Sequence, residues 1–211
     1  MLAEHNRKLL QGEIARLHGH NIQIDESIDE ELRKEVGDFL NNGVRVLKQG
    51  MQDVTRVLQI KFGFLFQKVN AFENGLADLE KTDRLLAAYL RETRKWSERL
   101  VKCRTALEHE GWMLPKIRYT EASGAIHAEE PEIAGQPVSE FVKVMMNRLC
   151  CFVEEVTAHC LQARMPTGIS VTELPLPERD PEVPERFRLT LTNGGLPVWN
   201  IAYDQLAFDE I

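Results

Sequence analysis

The sequence predicts an all-α fold, an antiparallel helical bundle carrying a small C-terminal β-hairpin appendage. Three observations carry this reading. Apolar residues recur at steps of three and four over long stretches, helix breakers separate those stretches, and only the region beyond Arg164 changes to a two-residue alternation. With 211 residues, 43% of them hydrophobic and 28% charged, the chain can bury one sizeable core, which excludes a wholly disordered protein.

Each element follows from its own pattern. Residues 2 to 17 place Leu2, Leu9, Leu10, Ile14 and Leu17 among charges and predict a leading helix ending at His18-Gly19-His20-Asn21. After Ser27, the positions Leu40, Val44, Leu47, Met51, Val54 and Leu58 alternate steps of four and three, a heptad stripe over nearly three repeats. The stripe slips near Phe62, with Gly63 at the slip, and resumes through Leu65, Val69, Phe72, Leu76 and Leu79. One straight helix over residues 27–79 would run about 80 Å, so two helices or one bent helix are expected. Gly43 and Gly50 lie one heptad apart, where each costs about 1 kcal/mol against alanine. Close approach of another backbone would compensate, either inside the chain or across a dimer seam.

Thr82 or Asp83 caps the next helix, whose apolar face of Leu85, Leu86, Tyr89, Leu90, Trp96, Leu100, Val101 and Leu107 lasts until about Trp112; Pro115 closes it. Residues 116–137 contain Ser123-Gly124, Pro131 and Pro137 and predict a loop with at most a short hairpin. A last long helix, with Ser139 as candidate N-cap, carries Phe141, Met145, Leu149, Phe152, Val156 and Cys160. Five of the nine prolines then crowd between Pro166 and Pro184. Beyond them, residues 186–192 alternate, Asn193-Gly194-Gly195 turns, and Leu196 to Tyr203 returns as the second strand of a hairpin. The chain thus divides into a leading helix (1–25), a helical bundle (26–163) and a proline-rich linker with its hairpin (164–211).

Composition narrows the function. No apolar run approaches the roughly 18 to 20 residues that span a bilayer, and the start lacks a signal peptide's basic-then-apolar order, so a cytoplasmic protein without a membrane partner is expected. Cys103, Cys150, Cys151 and Cys160 contain no C-x-x-C pair and read as reduced thiols. Cys150 and Cys151 sit in an apolar helical run and read as inert. A net charge of −7 argues against coating nucleic acid with the whole surface, though not against a local basic patch. P-loop, Rossmann, zincin and nucleophile-elbow motifs are absent from the sequence. His18-x-His20 lacks a third ligand, and a gathering of His109, Glu110, His127 and Glu129 would need long-range contacts; no metal or cofactor is expected. His159 reads as a hydrogen-bonded core-edge histidine, and Trp96, Trp112 and Trp199 read as core or interface anchors.

The chemistry-bearing candidate is Arg104-Thr105-Ala106-Leu107-Glu108-His109, an R-x4-H near a helix end. An imidazole exchanges protons near neutral pH, and a guanidinium grips two phosphate oxygens. The pair suits phosphodiester cleavage, with His109 as general base on a 2′-hydroxyl or acid to the leaving oxygen, and Arg104 neutralising transition-state charge. Thr105 and Glu108 are supporting candidates. On an ideal helix the two side chains stand about 140° apart, so they flank a face rather than meet. The plain alternative is a salt-bridged surface arginine and a histidine at a helix C-terminus. Arg91, Arg94, Lys95, Arg99, Lys102 and Arg104 put six basic residues into fourteen. That run could track a phosphate backbone, or it could be a solvated face paired with acids such as Glu73, Asp78 and Glu80.

With that motif near the end of a helical segment, long amphipathic helices before it and one after it, the chain resembles the HEPN superfamily over residues 26–163. At the position after the arginine, where active members usually carry asparagine, aspartate or histidine, this chain has Thr105. The resemblance implies a metal-independent endoribonuclease acting as a homodimer, with both copies of Arg104 and His109 lining one RNA cleft and leaving 2′,3′-cyclic phosphate ends. It also implies toxin or antiviral defence roles, with an antitoxin protein as partner. From a different class comes a catalytically inactive helical-bundle interaction protein, in which Arg104 or His109 is buried or paired off.

Overall fold

The computed structural model describes residues 1–19, 21–60, 68–179 and 186–191. In chain order the elements are α1 (Leu2–Leu10), β1 (Ala15–His18), β2 (Asn21–Ile24), α2 (Asp29–Leu58), α3 (Val69–Glu80), α4 (Arg84–His109), β3 (Arg118–Ala122), β4 (Ala125–Glu129), β5 (Glu132–Ile133), β6 (Gln136–Pro137), α5 (Val138–Gln162), β7 (Ile169–Glu173), a 3-10 turn (Leu176–Glu178) and β8 (Phe187–Leu191). Helix takes 59% of the described residues and strand 18%, which corrects the all-α expectation to an α+β one. The strands form four separate two-stranded antiparallel sheets. Turn chemistry accounts for two of them: Ser123-Gly124 between β3 and β4 and Ala134-Gly135 between β5 and β6 each place two successive residues at positive φ, the geometry that folds two strands back at once. No helix among the described residues is long and apolar enough to cross a membrane.

The chain forms two compact units, Met1–Arg45 with Arg99–Arg148, and Val46–Glu98 with Leu149–Ile211. In the first unit the leading helix stops at Leu10, seven residues short of the expected end. Ala15 to His18 instead pair with Asn21 to Ile24, Ala15 opposite Ile24 and Leu17 opposite Ile22, around Gly19 at φ 63°. Leu9, Ile14 and Ala15 are buried beneath Ile24, Tyr119, Ile126 and Ala128, a satellite core shared by α1 and two hairpins. His5, also buried, joins it through a 2.8 Å hydrogen bond between Nε2 and the Tyr119 hydroxyl. The amide of Ser139 donates to the Glu130 carboxylate, so α5 starts at Val138 on a cap from the link between β4 and β5 rather than on Ser139 itself.

In the second unit α2 ends where Gln59 turns to φ 56° and Ile60 N–H donates back to Thr55 O. The expected break therefore separates α2 from α3; Phe62, Gly63 and Leu65 lie outside the described residues. Phe72, Leu76 and Leu79 of α3 are buried, as are Leu86 and Leu90 of α4 and Phe152 and Val156 of α5. Asp83 caps α4, accepting from the Leu86 amide at 2.9 Å, and its other oxygen meets His159 Nε2 at 2.9 Å. Gly50 packs directly on the Phe152 ring, and Gly43 in the first unit is buried as well, so both glycines serve packing within the chain. Beyond α5 the proline-rich stretch is bridged by a sheet that the sequence did not suggest: β8 pairs with β7, Val171 opposite Leu189. Arg186 ties this sheet to α5, reaching Glu154 and Glu155 there and Glu173 on β7. The expected return strand from Leu196 to Tyr203, and Trp199 in it, lie outside the described residues.

Candidate functional site

Arg104, Glu108 and His109 stand on the last turn and a half of α4. Arg104 and Glu108 are one turn apart and form an ion pair, while the Arg104 Nε donates to Asn41 Oδ1 of α2 at 3.3 Å. His109 Nε2 lies 3.8 Å from Glu108 Oε2, the oxygen that also takes Arg104. Glu108 Oε2 thus pairs with Arg104 and stands near the His109 ring, beyond hydrogen-bond reach of it. Their exposures differ: the Arg104 side chain is 28% accessible and that of His109 is 64%.

The chain leaving α4 is held close to this end. Gly111 turns at φ 70° and Trp112 N–H donates back to Ala106 O. Two residues one turn apart on α2 then anchor the next stretch: Arg33 Nε donates to Leu114 O at 2.8 Å, and Asp29 Oδ1 accepts from the Ile117 amide at 2.9 Å. Beside the helix end lies a cleft of about 510 Å³ lined by Thr105, Ala106, Glu110, Trp112, Glu132 and Ile133, with Lys102 and Cys103 on its α4 side. Arg104, Glu108 and His109 do not line this cleft. Burial pushes the Cys103 thiol up, with Arg99 opposing, so it is held as a thiol and not as a nucleophile.

No family model, curated protein or solved structure matches the chain. The site rests on its own geometry.

The basic run of α4 is largely engaged. In the second unit Arg91 lies 3.6 Å from Glu73 and 3.7 Å from Glu80, Arg94 stacks over the Phe72 ring at 4.4 Å, and Lys95 pairs with Glu92 at 2.7 Å. In the first unit Arg99 is half-buried and Lys102 is exposed at the cleft. Among the described residues no group of three or more histidine, cysteine or acidic side chains is placed to hold a metal, so His109, Glu110, His127 and Glu129 do not gather; His20 lies outside them. None of the four cysteines is in a disulfide; Cys150 is exposed and the others are half-buried. Trp96 is a core residue as expected, whereas Trp112 lines the cleft. Sequence reasoning passed over Glu110, Trp112 and Glu132 as one site; the available signal was Gly111, whose turn brings Trp112 back onto the helix.

Proposed function

We propose that the chain is a metal-independent endoribonuclease of HEPN type, cutting RNA by attack of a 2′-hydroxyl, and working as a toxin or defence effector. His109 is the proton-transfer group, taking the 2′-hydroxyl proton or giving one to the leaving 5′-oxygen, and its exposure suits access to a polymeric substrate. Arg104 neutralises the charge that grows on the phosphate, exchanging Glu108 for the phosphate oxygens as RNA enters. Glu108 holds Arg104 in the free protein and places its carboxylate near His109. The observation that carries this reading is the convergence of Arg104 and His109 on one Glu108 oxygen at an accessible helix end. In the dimer the resemblance implies, a second copy brings its own Arg104 and His109 to the same RNA.

A second reading has its own support. Arg104 is doubly engaged, by Glu108 and Asn41, and the neighbouring cleft leaves out both motif residues, which is how a catalytically inactive interaction protein would hold them. The decisive experiment is cleavage of a mixed RNA pool in excess EDTA by the wild type, Arg104→Ala and His109→Ala, with end-group analysis. The ribonuclease reading expects cyclic phosphate ends from the wild type and a loss of about 10²–10⁴-fold in His109→Ala. Equal cutting by all three proteins, or none by a folded wild type freed of partners, moves the assignment to the interaction protein.

A further inference from the structure

The cleft beside the helix end has features that the motif chemistry does not use. Its volume, about 510 Å³, is within the roughly 300–1,000 Å³ of small-molecule sites. Its lining combines apolar groups, Ala106, Ile133 and the Trp112 indole, with the Thr105 hydroxyl and the Glu110 and Glu132 carboxylates. An ionised carboxylate accepts hydrogen bonds and donates none, whereas the Lys102 ammonium on the α4 side only donates, so this lining suits a planar ligand that carries both N–H donors and a carbonyl acceptor. Thr105 and Glu110 immediately follow Arg104 and His109 in the chain, while the two motif residues themselves stay outside the lining.

We propose that this cleft is a nucleobase subsite and that it takes guanine. Guanine presents two adjacent N–H donors, N1–H and N2–H, to a single carboxylate, and its face stacks on an indole; uracil has one ring N–H and no exocyclic amine. The inference rests on the ribonuclease reading for its biological meaning: a guanine seated here directs the adjoining phosphodiester toward Arg104 and His109 and sets the cleavage preference.

The test is titration of 5′-GMP and 5′-UMP against the full chain, followed by tryptophan fluorescence and, in parallel, by calorimetry. Saturable binding of 5′-GMP is expected, with 5′-UMP about tenfold weaker or more, and with a similar loss in Glu110→Gln or Glu132→Gln. Both glutamates are exposed, so these near-isosteric changes leave the fold intact, checked by circular dichroism. Trp112→Phe removes the fluorescence change but keeps calorimetric binding. Equal binding of the two nucleotides, no binding by either method, or full 5′-GMP binding in both glutamine variants overturns the subsite. The two proposals fail separately. RNA cutting without 5′-GMP binding overturns the subsite alone, and selective 5′-GMP binding by a protein that cuts no RNA upholds the subsite and overturns the ribonuclease.

Discussion

A methyl group added at Gly50 would fall 2.4 Å from Phe152 Cε1, and Phe152 is 1% exposed, with no space to yield. Gly50→Ala is expected to lower stability by about 1–3 kcal/mol, read as a fall in the urea midpoint at constant slope. Gly37 gives the opposite expectation. Its added Cβ meets only the Leu107 Cδ2 end at 3.4 Å, so Gly37→Ala retains the helical preference of alanine and gains up to about 1 kcal/mol. Heptad spacing marked Gly50 as a close approach, but nothing in it named Phe152, which comes from a helix about a hundred residues away. Asp83 is a second test at this scale. It caps α4 and holds His159 of α5, so Asp83→Ala is expected to cost more than an isolated cap, about 2 kcal/mol or above, measured by thermal unfolding.

At the scale of elements, the long helices were legible and the hairpins largely were not. The stripe Leu40, Val44, Leu47, Met51 and Val54 is buried throughout, because a period of 3.5 residues writes a helix face directly into the sequence. On α4 the buried face also contains Thr93 and Ser97, which hydropathy hides. Each hydroxyl donates to a carbonyl of its own helix, Tyr89 O and Arg94 O, and so tolerates burial. Strands of two to five residues carry few alternations; among the described residues only the alternation over residues 186–192, which forms β8, and the Ser123-Gly124 turn signalled themselves in advance. The β5–β6 turn yields a prediction. Ala134 sits at φ 53°, where a Cβ costs about 1 kcal/mol, so Ala134→Gly is expected to stabilise the protein by up to that amount in denaturant titration.

For the molecule as a whole, stability is tied to pH through Glu155. Burial raises its carboxyl to about 7, against the opposing pull of the Arg186 guanidinium and a hydrogen bond from Tyr89; Glu173 adds to the rise. The folded protein thus holds a proton between the ordinary carboxylate range and about pH 7 that the unfolded chain has released. That contribution is complete in acid and lost as pH rises through about 7. The thermal midpoint is expected to fall between about pH 5 and pH 8 in the wild type, and to fall less in Glu155→Gln, which keeps a neutral group there. His5 works in the other sense: burial lowers its imidazole, so it favours the fold above its ordinary range and weakens it as pH falls. Glu155→Gln unmasks that acid-side loss, and a His5→Phe, Glu155→Gln double variant is expected to be flatter in pH than either single one.

By itself the sequence determined where the long helices run, that their stripe breaks between α2 and α3, and which six-residue segment carries an arginine and a histidine. Helix periodicity and capping are local, and they act over four to seven residues that lie side by side in the chain. Tertiary structure decided the rest. It turned the all-α expectation into an α+β fold, because β8 finds β7 across a proline-rich stretch and strand pairing is a contact between distant residues. It set Arg104 on Asn41 of α2, and it built a cleft from α4 and the β5–β6 turn. A site needs side chains from several elements to meet in space, and spacing along one helix cannot specify that meeting.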